Sequence, residues 1–208
     1  GIPKEFFDEG INEEVRSAID SKIEEYKNNG FEVKEVSIPS ASYSLSTYYI
    51  LVPAEISSNR AKYDGVRYGK KVSDDYETNL IESRSKYLED EVKRRIMIGT
   101  YVLSAGYADQ YYKKASKVRT KLKQEFAKVF EEVDLLIIPT SPTTAFKLGE
   151  KVNDPVEMYL ADIFTVTANL VGIPALNVPI GKDSSGLPIG MQVMGNWWND
   201  FGILEFAK

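Results

Sequence analysis

Arg95 has the setting that most invites chemistry. Spacing the residues of Glu89–Ser104 at about 100° intervals puts Val92, Ile96, Gly99, Val102 and Leu103 on one face. Arg95 falls in the middle of that apolar arc, while Lys93 and Arg94 point away. A guanidinium on a packing face needs a carboxylate, supplied by the protein or by a ligand. Asp162 is its chemical complement. It lies on the flank of a helical stripe formed by Val156, Tyr159, Leu160, Ile163 and Thr167, where a carboxylate can hold an ammonium group or simply meet water. Together they are the pair a free amino acid requires, one for its carboxylate and one for its amine. Periodicity does not establish that they meet, and a structural ion pair is the plain alternative for Arg95.

The other polar clusters read more simply. Pro139-Thr140-Ser141-Pro142-Thr143-Thr144 follows a buried strand, where ligands of open α/β sheets tend to bind, but its hydroxyls also suit the turn itself. Ser184-Ser185-Gly186, preceded by Asp183, reads as a hairpin turn rather than a nucleophile loop. Histidine and cysteine are both absent. Disulfides, thiolate nucleophiles and Cys-ligated metals are thereby excluded, and so is the commonest general base. The lack of cysteine fits a reducing cytoplasm. Neither a Gly-rich phosphate loop nor a metal-ligand cluster is present, and no apolar run is long enough to cross a bilayer. A net charge of −5 argues against the chain gripping a polyanion by itself. The richest basic stretch, Lys113 to Lys123, is interleaved with Ala, Val and Leu and reads as the solvated face of a helix.

The elements that must position these residues alternate between helix and strand. Asn12 caps a helix opened by Glu13 and Glu14, with Val15, Ile19, Ile23 and Tyr26 on its apolar stripe and Gly30 at its end. Phe31, Val33 and Val36 predict a strand closing at Ile38-Pro39. Residues 42–63 are mostly helical and interrupted at Pro53. Helices follow over 74–87, 89–104 and 108–132, with breaks near Gly99 and Gly106. Asp134 to Ile138 is a buried strand, Asp154 and Pro155 open a further helix, and strands over 175–180 and 189–194 flank a turn. The fold class is α/β, a mixed sheet covered by helices.

Three segments resemble the amidase signature family. They are Tyr63-Asp64-Gly65-Val66-Arg67-Tyr68-Gly69, Glu91-Val92-Lys93-Arg94-Arg95-Ile96-Met97-Ile98-Gly99-Thr100-Tyr101 and Asn169-Leu170-Val171-Gly172-Ile173-Pro174-Ala175. The first two resemble its tRNA-dependent amidotransferase branch, which acts on glutamyl-tRNA(Gln) or aspartyl-tRNA(Asn). The match runs from Gly1-Ile2-Pro3-Lys4-Glu5 to Pro188-Ile189-Gly190-Met191-Gln192. The resemblance implies that residues 1–208 form a single partial domain, the C-terminal part of an amidase-signature fold with the N-terminal half absent. It further implies a cytoplasmic protein that hydrolyses glutamine at a Ser–cis-Ser–Lys centre lying before Gly1. The ammonia passes to a partner that uses ATP and Mg to activate the charged tRNA, in a complex with the B and C subunits of the amidotransferase. Binding of glutamine falls by resemblance to Arg95 for the carboxylate, Asp162 for the amino group and Tyr48 in the pocket. No catalytic residue, cofactor site or metal site is expected in this span, which would be inactive alone and would touch tRNA only indirectly. A general amidase acting on a small amide, or a non-catalytic binding module, are the alternatives.

Overall fold

The computed structural model describes residues 1–7, 10–150 and 155–208. In chain order the elements are β1 (Ile2–Pro3), α1 (Glu13–Asn28), β2 (Glu35–Val36), α2 (Ser44–Asn59), α3 (Tyr76–Tyr87), α4 (Asp90–Leu103), α5 (Tyr112–Val129), β3 (Leu135–Pro139), α6 (Pro155–Leu160), α7 (Thr165–Val171), β4 (Ala175–Lys182), β5 (Pro188–Gly195) and α8 (Asp200–Phe206). They fall into two compact units, Gly1–Leu45 with Val118–Lys208, and Ser46–Lys117.

The first unit is built on two linked sheets. β4 and β5 form the expected hairpin, antiparallel from Ala175↔Met194 to Lys182↔Pro188. Its turn is closed by Asp183, whose carboxylate accepts from the Ser185 and Leu187 amides, and by Gly186 at φ +84°. β3 pairs antiparallel with the other edge of β5. β1 pairs parallel with β2, and Gly1 bridges to β3, its carbonyl accepting from the Ile137 amide at 3.0 Å. The strands thus form two sheets, a parallel pair β1-β2 and an antiparallel sheet in the order β3-β5-β4, linked through the Gly1 backbone, where one mixed sheet is expected from the sequence. α1 starts as its sequence requires, with the Asn12 side chain accepting from the Glu14 and Val15 amides. Its stripe residues Ile19 and Ile23 join Ile137, Met191, Val193 and Ile203 in one buried cluster. Because strand side chains alternate, Gln192 faces the opposite side from Met191 and Val193. There its Nε2 donates to the Phe164 carbonyl at 3.3 Å.

Two local expectations fail in this unit. The strand predicted from Phe31 to its close at Ile38-Pro39 shrinks to Glu35–Val36, because its ladder partner β1 offers only two residues. Phe31 instead rests on the rings of Tyr26 and Phe206, with centroids 5.6 and 5.5 Å away. The helix expected to carry one continuous stripe from Val156 to Thr167 is two helices, α6 and α7. Between them the Ala161, Asp162 and Ile163 amides each bond three residues back, a tight turn that carries Phe164 inward beside Phe6. Asp154, expected to cap α6, lies outside the described residues.

The second unit is helical among its described residues. α2 passes through Pro53 without interruption, contrary to the sequence expectation. A proline removes one backbone bond, but close packing against a neighbouring helix can hold the segment helical. That neighbour is α4. A Cβ on Gly99 would lie 1.9 Å from the Pro53 carbonyl oxygen, so the two backbones touch where glycine allows it. Gly99 thus marks a crossing rather than a break, whereas Gly106, at φ +88°, lies in the turn that joins α4, ended at Leu103, to α5.

The loop between α2 and α3 is ordered by its own side chains. Asp64, buried, accepts from the Val66 and Arg67 amides and from Arg67 Nε, each at 2.8–2.9 Å. Those two amides and the guanidinium hold its carboxyl well below the ordinary carboxylate range. A depressed folded-state value means the stabilisation is complete above the unfolded pKa of about 3.9 and is lost as pH falls toward the folded value. The melting temperature of the parent should therefore exceed that of Asp64→Asn by a constant margin at neutral pH, and the margin should shrink below about pH 4. Parallel melting curves down to about pH 2 would remove Asp64 from this role.

Candidate functional site

Arg95 owes its position to the Gly99–Pro53 crossing. One turn back along α4 from Gly99 stands Arg95, and one turn back along α2 from Pro53 stands Tyr49. The guanidinium carbon lies 5.5 Å from the centre of the Tyr49 ring, a cation–π contact, and Tyr48 meets Tyr49 edge-on with centroids 5.3 Å apart. Arg95 Nε donates to Glu91 Oε1 at 2.8 Å, one turn earlier on the same helix. Its side chain is only 22% exposed. Burial works against the charge, but the Glu91 bond and the nearby tyrosine oxygens outweigh it and raise the Arg95 pKa above the usual arginine value.

Arginine carries five N–H donors in a rigid fork. Here only Nε is bonded among the described residues, so the two terminal nitrogens remain for an added acceptor. A half-buried, permanently charged fork beside two tyrosines is suited to a carboxylate. Glu91 and Tyr49 are the members of this cluster that sequence reasoning missed. The Glu91–Arg95 spacing of four was a readable signal. The Tyr49 contact was not, since it depends on which residues of α2 and α4 cross.

Asp162 lies in the other unit, in the turn between α6 and α7. Its carbonyl accepts from the Thr165 amide and hydroxyl and from the Val166 amide, at 3.0, 3.0 and 3.2 Å, which starts α7. Its carboxylate is exposed and makes no ion pair or hydrogen bond among the described residues. The backbone is thus tied while the charge is presented outward, a setting in which an ammonium could be held.

Near the C-terminal end of β3, Thr140, Thr165, Asn169, Asn177 and Gln192 line a cavity of about 330 Å³. These are uncharged groups, fitted to hydrogen-bonding rather than to proton transfer. Thr140 Oγ1 donates to Asn177 Oδ1 at 2.6 Å, and Thr144 Oγ1 to Asp183 Oδ2 at 2.7 Å, so these two hydroxyls tie the loop to β4 and to the β4–β5 turn rather than closing its own turn. Ser184 bonds Glu14 through both its amide and its hydroxyl, in keeping with a hairpin turn. The basic residues of α5 are mostly exposed, as a solvated face requires. Among the described residues no three His, Cys, Asp or Glu side chains gather in a metal-binding group, and no helix is long and apolar enough to cross a membrane.

Comparison with known proteins now places this architecture. The A subunit of glutamyl-tRNA(Gln) amidotransferase from Halothermothrix orenii is 52% identical over 209 residues, covering 100% of this chain and 44% of that protein. Its counterpart from Thermodesulfovibrio yellowstonii is 49% identical over 208 residues, covering 100% and 43%. The chain therefore spans less than half the length of these relatives. The crystal structure of the glutamyl-tRNA(Gln) amidotransferase A subunit from Thermotoga maritima matches with a TM-score of 0.71 at 39% identity, over 96% of this chain and 38% of that one. A second crystal structure, of an amidase, matches with a TM-score of 0.76 at 23% identity, over 100% of this chain and 43% of that one, which is a likeness of fold alone. The family model described as Amidase matches residues 1–204. From Gly1 to Leu204, this chain belongs to the amidase family.

Proposed function

We propose that this chain is the glutamine-recognising part of the ammonia-supplying component of a tRNA-dependent amidotransferase. The observation that carries the reading is Arg95: a half-buried guanidinium whose terminal nitrogens have no hydrogen-bond partner among the described residues, held by Glu91 and Tyr49 in a chain about half identical to glutamyl-tRNA(Gln) amidotransferase A subunits. In this reading Arg95 takes the substrate carboxylate, Tyr48 borders it, and the outward carboxylate of Asp162 takes the substrate ammonium. The Ser–cis-Ser–Lys centre that cleaves the amide is supplied from outside these residues. The ammonia passes to a partner that uses ATP and Mg, within an assembly that also holds the B and C subunits, where the charged tRNA is the acceptor.

Glutaramate, which is glutamine without its α-amino group, isolates the role of Asp162. In a full-length protein carrying this segment, Asp162→Asn should raise the KM for glutamine about 10- to 100-fold, the range for a lost hydrogen bond to a charged group of about 1.5–3 kcal/mol. Hydrolysis of glutaramate should change little. Equal losses on both substrates would mean that Asp162 acts on the fold and not on the ammonium.

A further inference from the structure

The Arg95 fork is oriented by its own helix. Glu91 stands one turn before it on α4, and Arg95 Nε donates to Glu91 Oε1 at 2.8 Å. The second carboxylate oxygen of Glu91 accepts from Arg94 Nη1. Both oxygens are therefore held, and the carboxylate cannot swivel away from Arg95 without breaking its bond to Arg94. Glu91 also lies in the first turn of α4, where the helix dipole favours an acid. The Lys93–Asp90 pair on the same helix is a contrast: its atoms are 3.4 Å apart and the Asp90 side chain is 96% exposed, so it is an ordinary surface pair.

Once the stem of an arginine is packed, its guanidinium plane can still turn about the Cδ–Nε bond. The Glu91 bond fixes the direction of Nε–H, and the Tyr49 ring, 5.5 Å from the guanidinium carbon, limits the tilt of the plane. Arginine can grip a carboxylate by the edge carrying Nε or by the edge carrying both terminal nitrogens. Glu91 closes the first edge and leaves the second.

We infer that Glu91 is a positioning residue for substrate binding: it fixes the Arg95 fork so that the terminal nitrogens form the single edge presented to the glutamine carboxylate. This role rests on the glutamine reading proposed above, and adds to it a residue that never touches the substrate. An i,i+4 pair contributes little to stability, so replacing Glu91 leaves the fold standing while the fork is freed to turn.

Steady-state kinetics in a full-length protein carrying this segment test the role. Glu91→Ala should raise the KM for glutamine about tenfold, with kcat within about threefold of the parent. Glutaramate, which keeps the carboxylate, should lose as much, whereas propionamide, which lacks it, should change by no more than about twofold. Glu91→Gln retains an oxygen that can accept from Nε and should return the KM to within about threefold of the parent. In an Arg95→Gln background the same Glu91→Ala change should cost no more than about twofold, because Glu91 acts through the guanidinium. Glu91→Ala that leaves glutamine and glutaramate at parent values overturns the positioning role. So does Glu91→Gln that is no better than Glu91→Ala, or a Glu91→Ala loss that is the same in both backgrounds or extends equally to propionamide, which would make Glu91 a brace for α4 alone. Each of these outcomes leaves Arg95 its own role. Arg95→Gln that loses propionamide as much as glutamine overturns the glutamine reading itself, and the role of Glu91 with it.

Discussion

Arg95→Gln, placed in a full-length protein carrying this segment, is expected to lower kcat/KM for glutamine at least about 30-fold, corresponding to about 2 kcal/mol or more for truncating one member of a desolvated charge pair. The magnitude follows from the surroundings of the guanidinium. It is largely shielded from water, already bonded to Glu91 through Nε, and stacked on Tyr49. A substrate carboxylate arriving at the two terminal nitrogens would meet a preorganised fork in a setting where water competes poorly. Arg95→Lys should recover only part of the loss, since an ammonium keeps the charge but not the paired geometry. A neutral amide such as propionamide, which has no carboxylate, is the control. Its turnover should stay within about threefold of the parent, well inside the smallest loss expected for glutamine. If propionamide and glutamine lose equally, Arg95 is holding α4 in place rather than binding substrate.

The largest stability effect is expected at Gly99. A Cβ there would fall 1.9 Å from the Pro53 oxygen, 2.4 Å from its carbon and 2.9 Å from the Ala54 nitrogen, all backbone atoms with no side-chain torsion to relieve the clash. α2 and α4 would have to separate, and overpacking of that kind costs about 3 kcal/mol or more. Urea melts should show Gly99→Ala losing that much, with Thr100→Ala, an exposed neighbour on α4, as the control. A change below about 0.5 kcal/mol would show that the two backbones are not in contact as described. The same substitution carries a functional consequence. Arg95 and Tyr49 lie one turn back from the crossing on their respective helices, so separating the helices should also loosen the cation–π contact and raise the KM for glutamine.

Much of this could be read from the chain because helices and turns are short-range objects. The Asn12 cap, the Ile19 and Ile23 stripe, the Asp183 to Gly186 turn and the apolar arc around Arg95 each depend on residues within a few positions of one another. Composition excluded histidine and cysteine chemistry outright, and motif resemblance identified the family. The departures all arise where a distant segment decides. Pro53 stays helical because α4 lies against it, and the strand predicted from Phe31 to Ile38-Pro39 is short because its partner is. The segment around Asp162 turns tightly while Phe164 packs inward beside Phe6, a contact between residues far apart in sequence.

The sequence by itself determined that this chain is an α/β member of an amide-handling family with one guanidinium on a packing face. Tertiary structure alone decided what that guanidinium touches. Periodicity specifies a face to within about a turn, whereas the contact of Arg95 with Tyr49 depends on the crossing point of two helices, which is set by the absence of a single Cβ at Gly99.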